Sequence, residues 1–192
     1  MRVYMIGGVL VTAVFGATLV GLAQSSPHQA AADNFQVVLI RHAMADEGKD
    51  ASYVRFDDCT TQRNLSYEGR LQAQQMGVKL KQHGFLVTRV LVSPFCRTRE
   101  TAKLMRLRQM EIFPAFQNIK TGRQDTSTAA RLDAAKIVMD SWRGPGALVI
   151  VTHSSTIKAL TGLEPEEGKV IVYQHGLGDK QEAPAKLSKV TF

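Results

Sequence analysis

The chain has 192 residues, 44% of them hydrophobic and 21% charged, which supplies a core for one packed domain and excludes a disordered body. A formal net charge of +7 and a pI near 9.6 favour anionic partners. The Lys and Arg residues are scattered, with no long basic run and no interleaved aromatics, so a phosphorylated small molecule or acidic glycolipid is expected rather than nucleic acid.

Met1-Arg2 is a short basic start, Met5 to Leu22 is apolar and free of charge, and Gly21-Leu22-Ala23 offers the small residues a signal peptidase reads. Residues 1–23 are expected to be a signal peptide or, because residues 3–22 reach the length of a membrane span, a retained anchor. Any membrane contact would pass through that segment. No Cys stands near the cut, which argues against a lipoprotein. A polar linker follows over residues 24–34, and the body, 35–192, is expected to be periplasmic or secreted. In that oxidising setting Cys59 and Cys96 are a candidate disulfide; two buried free thiols are the other reading.

Val37-Val38-Leu39-Ile40 reads as a strand buried on both faces, and it delivers Arg41 and His42 at its C-terminal end. Met44 to Arg63 has no sustained period and reads as a long polar loop over that end. Ser66 is an N-cap for a helix to about His83, with Ala73, Met76, Gly77 and Leu80 facing inward and Gly84 as its stop. Val87 to Val92 is a second strand, and Arg97 to Leu107 has helical composition. Met110 to Phe116 is a third short strand or an extended connection. Thr126 or Ser127 caps a helix to Trp142, whose stripe of Leu132, Ala135, Met139 and Trp142 reads as core. Ala147 to Thr152 is a central strand ending in His153. Ser154 or Ser155 then caps a helix stopped by Gly162. Lys169 to Gln174 and Ala185 to Phe192 read as an edge hairpin around Gly176 and Gly178. Alternating strands and helices imply one three-layer α/β/α sandwich with a mostly parallel sheet.

Three strand ends carry the chemistry: Arg41-His42, then Ser93 to Arg97, then His153. Ligands of such sheets bind at the carboxyl ends of the strands. Two imidazoles, two guanidiniums and helix N-termini meeting there would make a pocket for an oxyanion.

These residues resemble the histidine phosphatase superfamily, also called phosphoglycerate-mutase-like, over nearly the whole mature chain. Leu39-Ile40-Arg41-His42-Ala43 is similar to its strand-end Arg-His-Gly signature. Asn64 to Gly69 with Ala73 resembles its Leu-Thr-x-x-Gly-x-x-Gln-Ala helix start. Ser93 to Ala102 resembles its Ser-x-x-x-Arg-x-x-x-Thr-Ala segment, and Val149 to Ser154 its Val-x-His-Gly segment. The resemblance implies a phosphoglycerate-mutase-like fold. It also implies a phosphatase in which His42 attacks phosphorus and becomes a phosphohistidine while Arg41, Arg97 and His153 hold the phosphoryl oxygens. Neither cofactor nor metal is required. A metal site on His42, His153 and a loop carboxylate would be opposed by the flanking Arg residues.

The chain departs from the pattern at Ala43 and Ser154, where the family has Gly, and it lacks an obvious general acid. Glu111 and Asp125 rank level for that role, each with a solvated-surface reading beside it; Asp46 and Glu47 are further off. Arg63, Asn64 and Ser154 are expected to touch substrate, with Gln62, although turn and cap chemistry explains the loop residues equally. Arg99 is expected to be solvated, Glu100 to sit in an ion pair, and His28 and His83 to be structural or solvated; His175 is left open. The expected activity is an exported phosphatase acting on a phosphomonoester such as a sugar or lipopolysaccharide phosphate. A phosphohistidine phosphatase and a non-catalytic phosphate-binding module are the alternatives.

Overall fold

The structure is a computed structural model that describes residues 35–119, 126–174 and the backbone of 186–190. The N-terminal apolar run, the linker with His28, the loop holding Asp125, and His175, Gly176 and Gly178 lie outside the described residues.

Six strands form one sheet in the order β3-β2-β4-β1-β5-β6: β1 is Gln36–Arg41, β2 Val87–Val92, β3 Met110–Ile112, β4 Ala147–Thr152, β5 Val170–Gln174 and β6 Lys186–Val190. The first four in spatial order run parallel; β5 is antiparallel to β1, and β6 to β5. The continuous apolar runs of β1 and β4 are explained by this placement. Both strands are central, and a helical layer covers each face.

Helices α1 (Tyr67–Gln82) and α2 (Cys96–Leu104) cover one face, where Ala73, Met76, Leu80, Ala102 and Met105 pack on Val38, Ile40, Val90 and Val149. Helices α3 (Thr126–Asp140) and α4 (Ser154–Thr161) cover the other, together with a 3₁₀ turn at Pro114–Phe116. There Ala135, Met139, Ile157 and Phe116 pack on Val37, Leu39, Leu148 and Ile150. Ser66 caps α1 by accepting from the Gly69 amide. Neither Ser154 nor Ser155 caps α4; His153 holds the N-cap position, and Ser155 Oγ instead donates to Asn118. Helix α2 begins one residue early, at Cys96, and ends at Leu104, where Arg106 turns left-handed with φ 50°.

Gly77 shows how closely the α1–α2 layer is packed: a Cβ there would overlap the Met105 carbonyl. The contact is with backbone, so the neighbour cannot swing aside. Gly77→Ala is expected to cost about 1–3 kcal/mol through overpacking. Urea denaturation of the variant checks this; an unchanged midpoint would mean that the helices separate freely.

Candidate active site

The parallel register pairs Arg41 with Thr152, so His42 and His153, the next residues on neighbouring strands, leave the sheet side by side. The His42 amide donates to the Thr152 carbonyl at 3.0 Å, and the Gly168 amide closes on the His42 carbonyl. Their rings meet edge to face, 5.4 Å between centroids. The turn after β1 is clipped to α2, where the Ala43 amide donates to Thr101 Oγ1, which itself donates to the Arg97 carbonyl.

Hydrogen bonds fix both tautomers. His42 Nδ1 lies 2.8 Å from the Ala43 carbonyl, which only accepts, so Nδ1 carries the proton and Nε2 keeps its lone pair. Arg97 Nε donates to that Nε2 at 3.2 Å. Arg97 Nη2 faces His153 Nδ1 at 3.5 Å, which leaves the His153 proton on Nε2, directed at Ser93 Oγ 2.8 Å away. Two imidazole lone pairs therefore flank one guanidinium.

Burial dominates the electrostatics. His42 is held neutral, its pKa pushed down to about 3 by desolvation and, further, by the charges of Arg97, Arg41 and Arg63; hydrogen bonding to Ala43 opposes this in part. His153 is likewise driven well below the usual imidazole range by burial, then by His42 and the same three arginines. Arg97 is 2% exposed, lies over the Phe95 ring at 4.5 Å, and is paired end-on with Asp50. That pairing, with the Arg63 amide, holds the Asp50 carboxyl below the usual carboxylate range against its desolvation. Glu167 bridges Arg41 at 3.3 Å and Arg63 at 3.1 Å. Arg41 Nε is the one buried side-chain polar atom among the described residues without a hydrogen-bond partner. A donor left open beside other cations suits an anionic oxygen.

The structure thus brings together His42, His153, Arg41, Arg97 and Arg63. It does not bring Glu111, which lies exposed on β3 in a two-point ion pair with Arg89. The cause is the register: Glu111 pairs with Leu91, on the face that Arg89 shares. Asp46 and Glu47 are exposed. Asn64 is committed to its own loop, its amide donating to the Cys59 and Gln62 carbonyls. Gln62 is spent on the Cys96 amide and the Arg55 carbonyl. Ser154 is the half-buried first residue of α4. Arg99 is not solvated as expected: its guanidinium donates to the Phe56 carbonyl and lies 3.0 Å from Cys96 Sγ. Glu100 is ion-paired with Arg70. Cys59 and Cys96 form a disulfide, so neither thiol is free. Sequence reasoning passed over Asp50 and Glu167, and it gave Ser93 a place in the motif but not its contact with His153. Asp50 stood among five carboxylates of an aperiodic loop, and nothing local separated it from the others.

Two neutral imidazoles around a buried guanidinium, at the carboxyl edge of a parallel sheet, define an oxyanion site of the phosphoryl-transfer class. The family model of the histidine phosphatase superfamily (branch 1) matches residues 37–147, and the chain belongs to that superfamily. That membership makes it a phosphoric monoester hydrolase by class. Solved structures share the fold. The open reading frame Rv3214 of Mycobacterium tuberculosis is 16% identical at a TM-score of 0.59, over 81% of this chain and 96% of that one. The protein histidine phosphatase SixA complexed with tungstate is 19% identical at 0.52, over 80% and 96%. The mycobacterial glucosyl-3-phosphoglycerate phosphatase Rv2419c is 15% identical at 0.57, over 80% and 97%. A comparison with curated proteins found no match.

The neutral imidazoles have a consequence for stability. Unfolded histidines titrate near 6.5, whereas His42 in the fold resists protonation down to about 3. Between those values the unfolded chain binds more protons, so stability falls as the pH drops below about 6.5. Denaturation midpoints measured from pH 7.5 to 4.5 should decline, and His42→Gln should flatten the decline. An equal slope in the variant would assign the acid sensitivity elsewhere.

Proposed function

We propose that the protein is an exported phosphatase that hydrolyses a phosphomonoester through a phosphohistidine at His42. The observation that carries the reading is the His42 tautomer. Nδ1–H is tied to the Ala43 carbonyl, so the Nε2 lone pair faces the cations. A neutral imidazole in that orientation is a nucleophile that needs no base to activate it. In the reaction Nε2 forms a bond to phosphorus as the bond to the leaving oxygen breaks; water then attacks the phosphohistidine, and phosphate leaves with His42 restored. Arg97 and Arg41 hold the equatorial oxygens, and Arg41 Nε finds there the acceptor it otherwise lacks; His153 joins them by taking a proton onto Nδ1 from the incoming phosphate monoanion. Arg63 adds positive charge at the rim. Export rests on the basic start and apolar run of residues 1–22, and a sugar or lipopolysaccharide phosphate is the substrate class that location suggests.

One observation favours a phosphohistidine or another phosphate with a good leaving group. Asp50 and Glu167, the two carboxylates that contact the site arginines, are both bound to guanidiniums, and Asp50 is held ionised. Neither is set to give a proton, which matters least when the leaving group departs unaided.

The mature protein should hydrolyse p-nitrophenyl phosphate. His42→Ala should fall to the background rate and Arg97→Ala should lose on the order of 10²–10³ in kcat. An identical rate in wild type and His42→Ala would leave only the phosphate-binding module.

A further inference from the structure

The buried guanidinium of Arg97 uses two edges for two purposes. Its side edge, Nε and Nη2, faces the lone pairs of His42 Nε2 at 3.2 Å and His153 Nδ1 at 3.5 Å. Its end, Nη1 and Nη2, meets Asp50 Oδ1 at 2.8 Å and Oδ2 at 3.1 Å, and Nη1 also donates to the Arg63 carbonyl at 3.1 Å. Asp50 itself is fixed from behind, because the Arg63 amide donates to its Oδ1 at 2.8 Å. A phosphoryl group at the histidines can take the hydrogens of the side edge while the end stays occupied.

We propose that Asp50 is the positioning residue of this site: it holds the end of Arg97, so that the side edge is aimed at the phosphoryl group between His42 and His153. The assignment rests on the phosphatase reading above. Asp50 touches neither the substrate nor the reacting atoms and acts only through Arg97. Two physical facts recommend it. Arg97 is almost wholly buried, and a long side chain with an unpaired buried charge would neither stay in place nor be tolerated. The two-point carboxylate pairing also fixes the plane of the guanidinium, which a single contact would leave free to rotate.

The charge balance separates this role from a general structural one. Arg41, Arg63 and Arg97, with Asp50 and Glu167, leave the cluster one net positive charge while both imidazoles are neutral. Replacing Asp50 by a neutral residue raises that charge, so anion binding in the ground state should hold or tighten. What is lost is orientation, which acts on the chemical step.

The test has two arms. In the first, Asp50→Asn is assayed with p-nitrophenyl phosphate and with inorganic phosphate as competitive inhibitor. The expected result is a fall in kcat on the order of 10² with a phosphate inhibition constant equal to or below that of wild type. An unchanged kcat, or phosphate binding weakened in step with kcat, overturns the proposal. Asp50→Glu, which keeps the charge and shifts the reach, should recover part of the kcat; should Asp50→Asn fail to fold, Asp50→Glu is read instead, with the same split between kcat and phosphate binding. In the second arm the wild-type protein is crystallised with tungstate. The oxyanion should sit on Arg97 Nε and Nη2 with Asp50 still on Nη1 and Nη2. Tungstate in the place of Asp50, or absent from the side edge, overturns the proposal. A wild type that hydrolyses no phosphate ester would sink the phosphatase reading alone, because the tungstate structure decides the place of Asp50 without turnover.

Discussion

The pocket depends on keeping one arginine charged where water does not reach. Desolvation works against the ionised form of Arg97, and the Asp50 carboxylate restores it. The surrounding contacts follow from that requirement. A guanidinium has donors to spare in one plane, and here each direction of that plane finds an acceptor: the carboxylate, the Arg63 carbonyl and two imidazole nitrogens. The faces of the plane need apolar cover, and the Phe95 ring lies against one of them. The imidazoles in turn are kept neutral chiefly by their own burial and further by the cation they accept from. Removing any one partner would leave another buried polar group unpaired.

Much of this was legible in the chain and some of it was not. The strands could be read because β1 and β4 are buried on both faces and carry continuous β-branched and aliphatic runs, as does the C-terminal half of β2, Val90 to Val92. Arg41, His42, Arg97 and His153 could be singled out because each stands where a strand ends or a helix begins, and parallel topology sends those places to one edge. A count of two made Cys59 and Cys96 a candidate pair beside the reading as free thiols, and the structure bonds them. Asp50 and Glu167 were hidden because their partners are distant in sequence: Asp50 meets Arg97, and Glu167 meets Arg41 and Arg63. Loop carboxylates carry no periodicity, so nothing local marks the one that turns inward. The same lack of signal made Glu111 attractive, and only the register against β2 shows that its partner is Arg89.

The aperiodic loop between β1 and α1 is held by polar contacts and a disulfide rather than by a core of its own. Its backbone is tied crosswise, Ala51 to the Thr61 carbonyl and Asp46 to the Asn64 carbonyl. Asp58 caps the 3₁₀ turn at Cys59–Thr61, and Gln62 reaches over to accept from the Cys96 amide. Arg99 fastens the Phe56 carbonyl from the outer face of α2. These contacts are polar and partly exposed, so each contributes only about 0.5–1.5 kcal/mol net.

The disulfide adds a term of a different kind. It joins residues 37 apart in sequence, and in the chain-entropy account a loop of that length is worth about 4 kcal/mol, drawn from the unfolded state. Cys96 is the first residue of α2, directly before Arg97, and Cys59 opens the turn that leads through Gln62 to Arg63. The bond therefore joins the segment that supplies the buried guanidinium to the segment that supplies its backbone acceptor. The loop does not need hydrophobic packing to hold Asp50 in place, because its far end is fastened covalently to the helix that Asp50 serves.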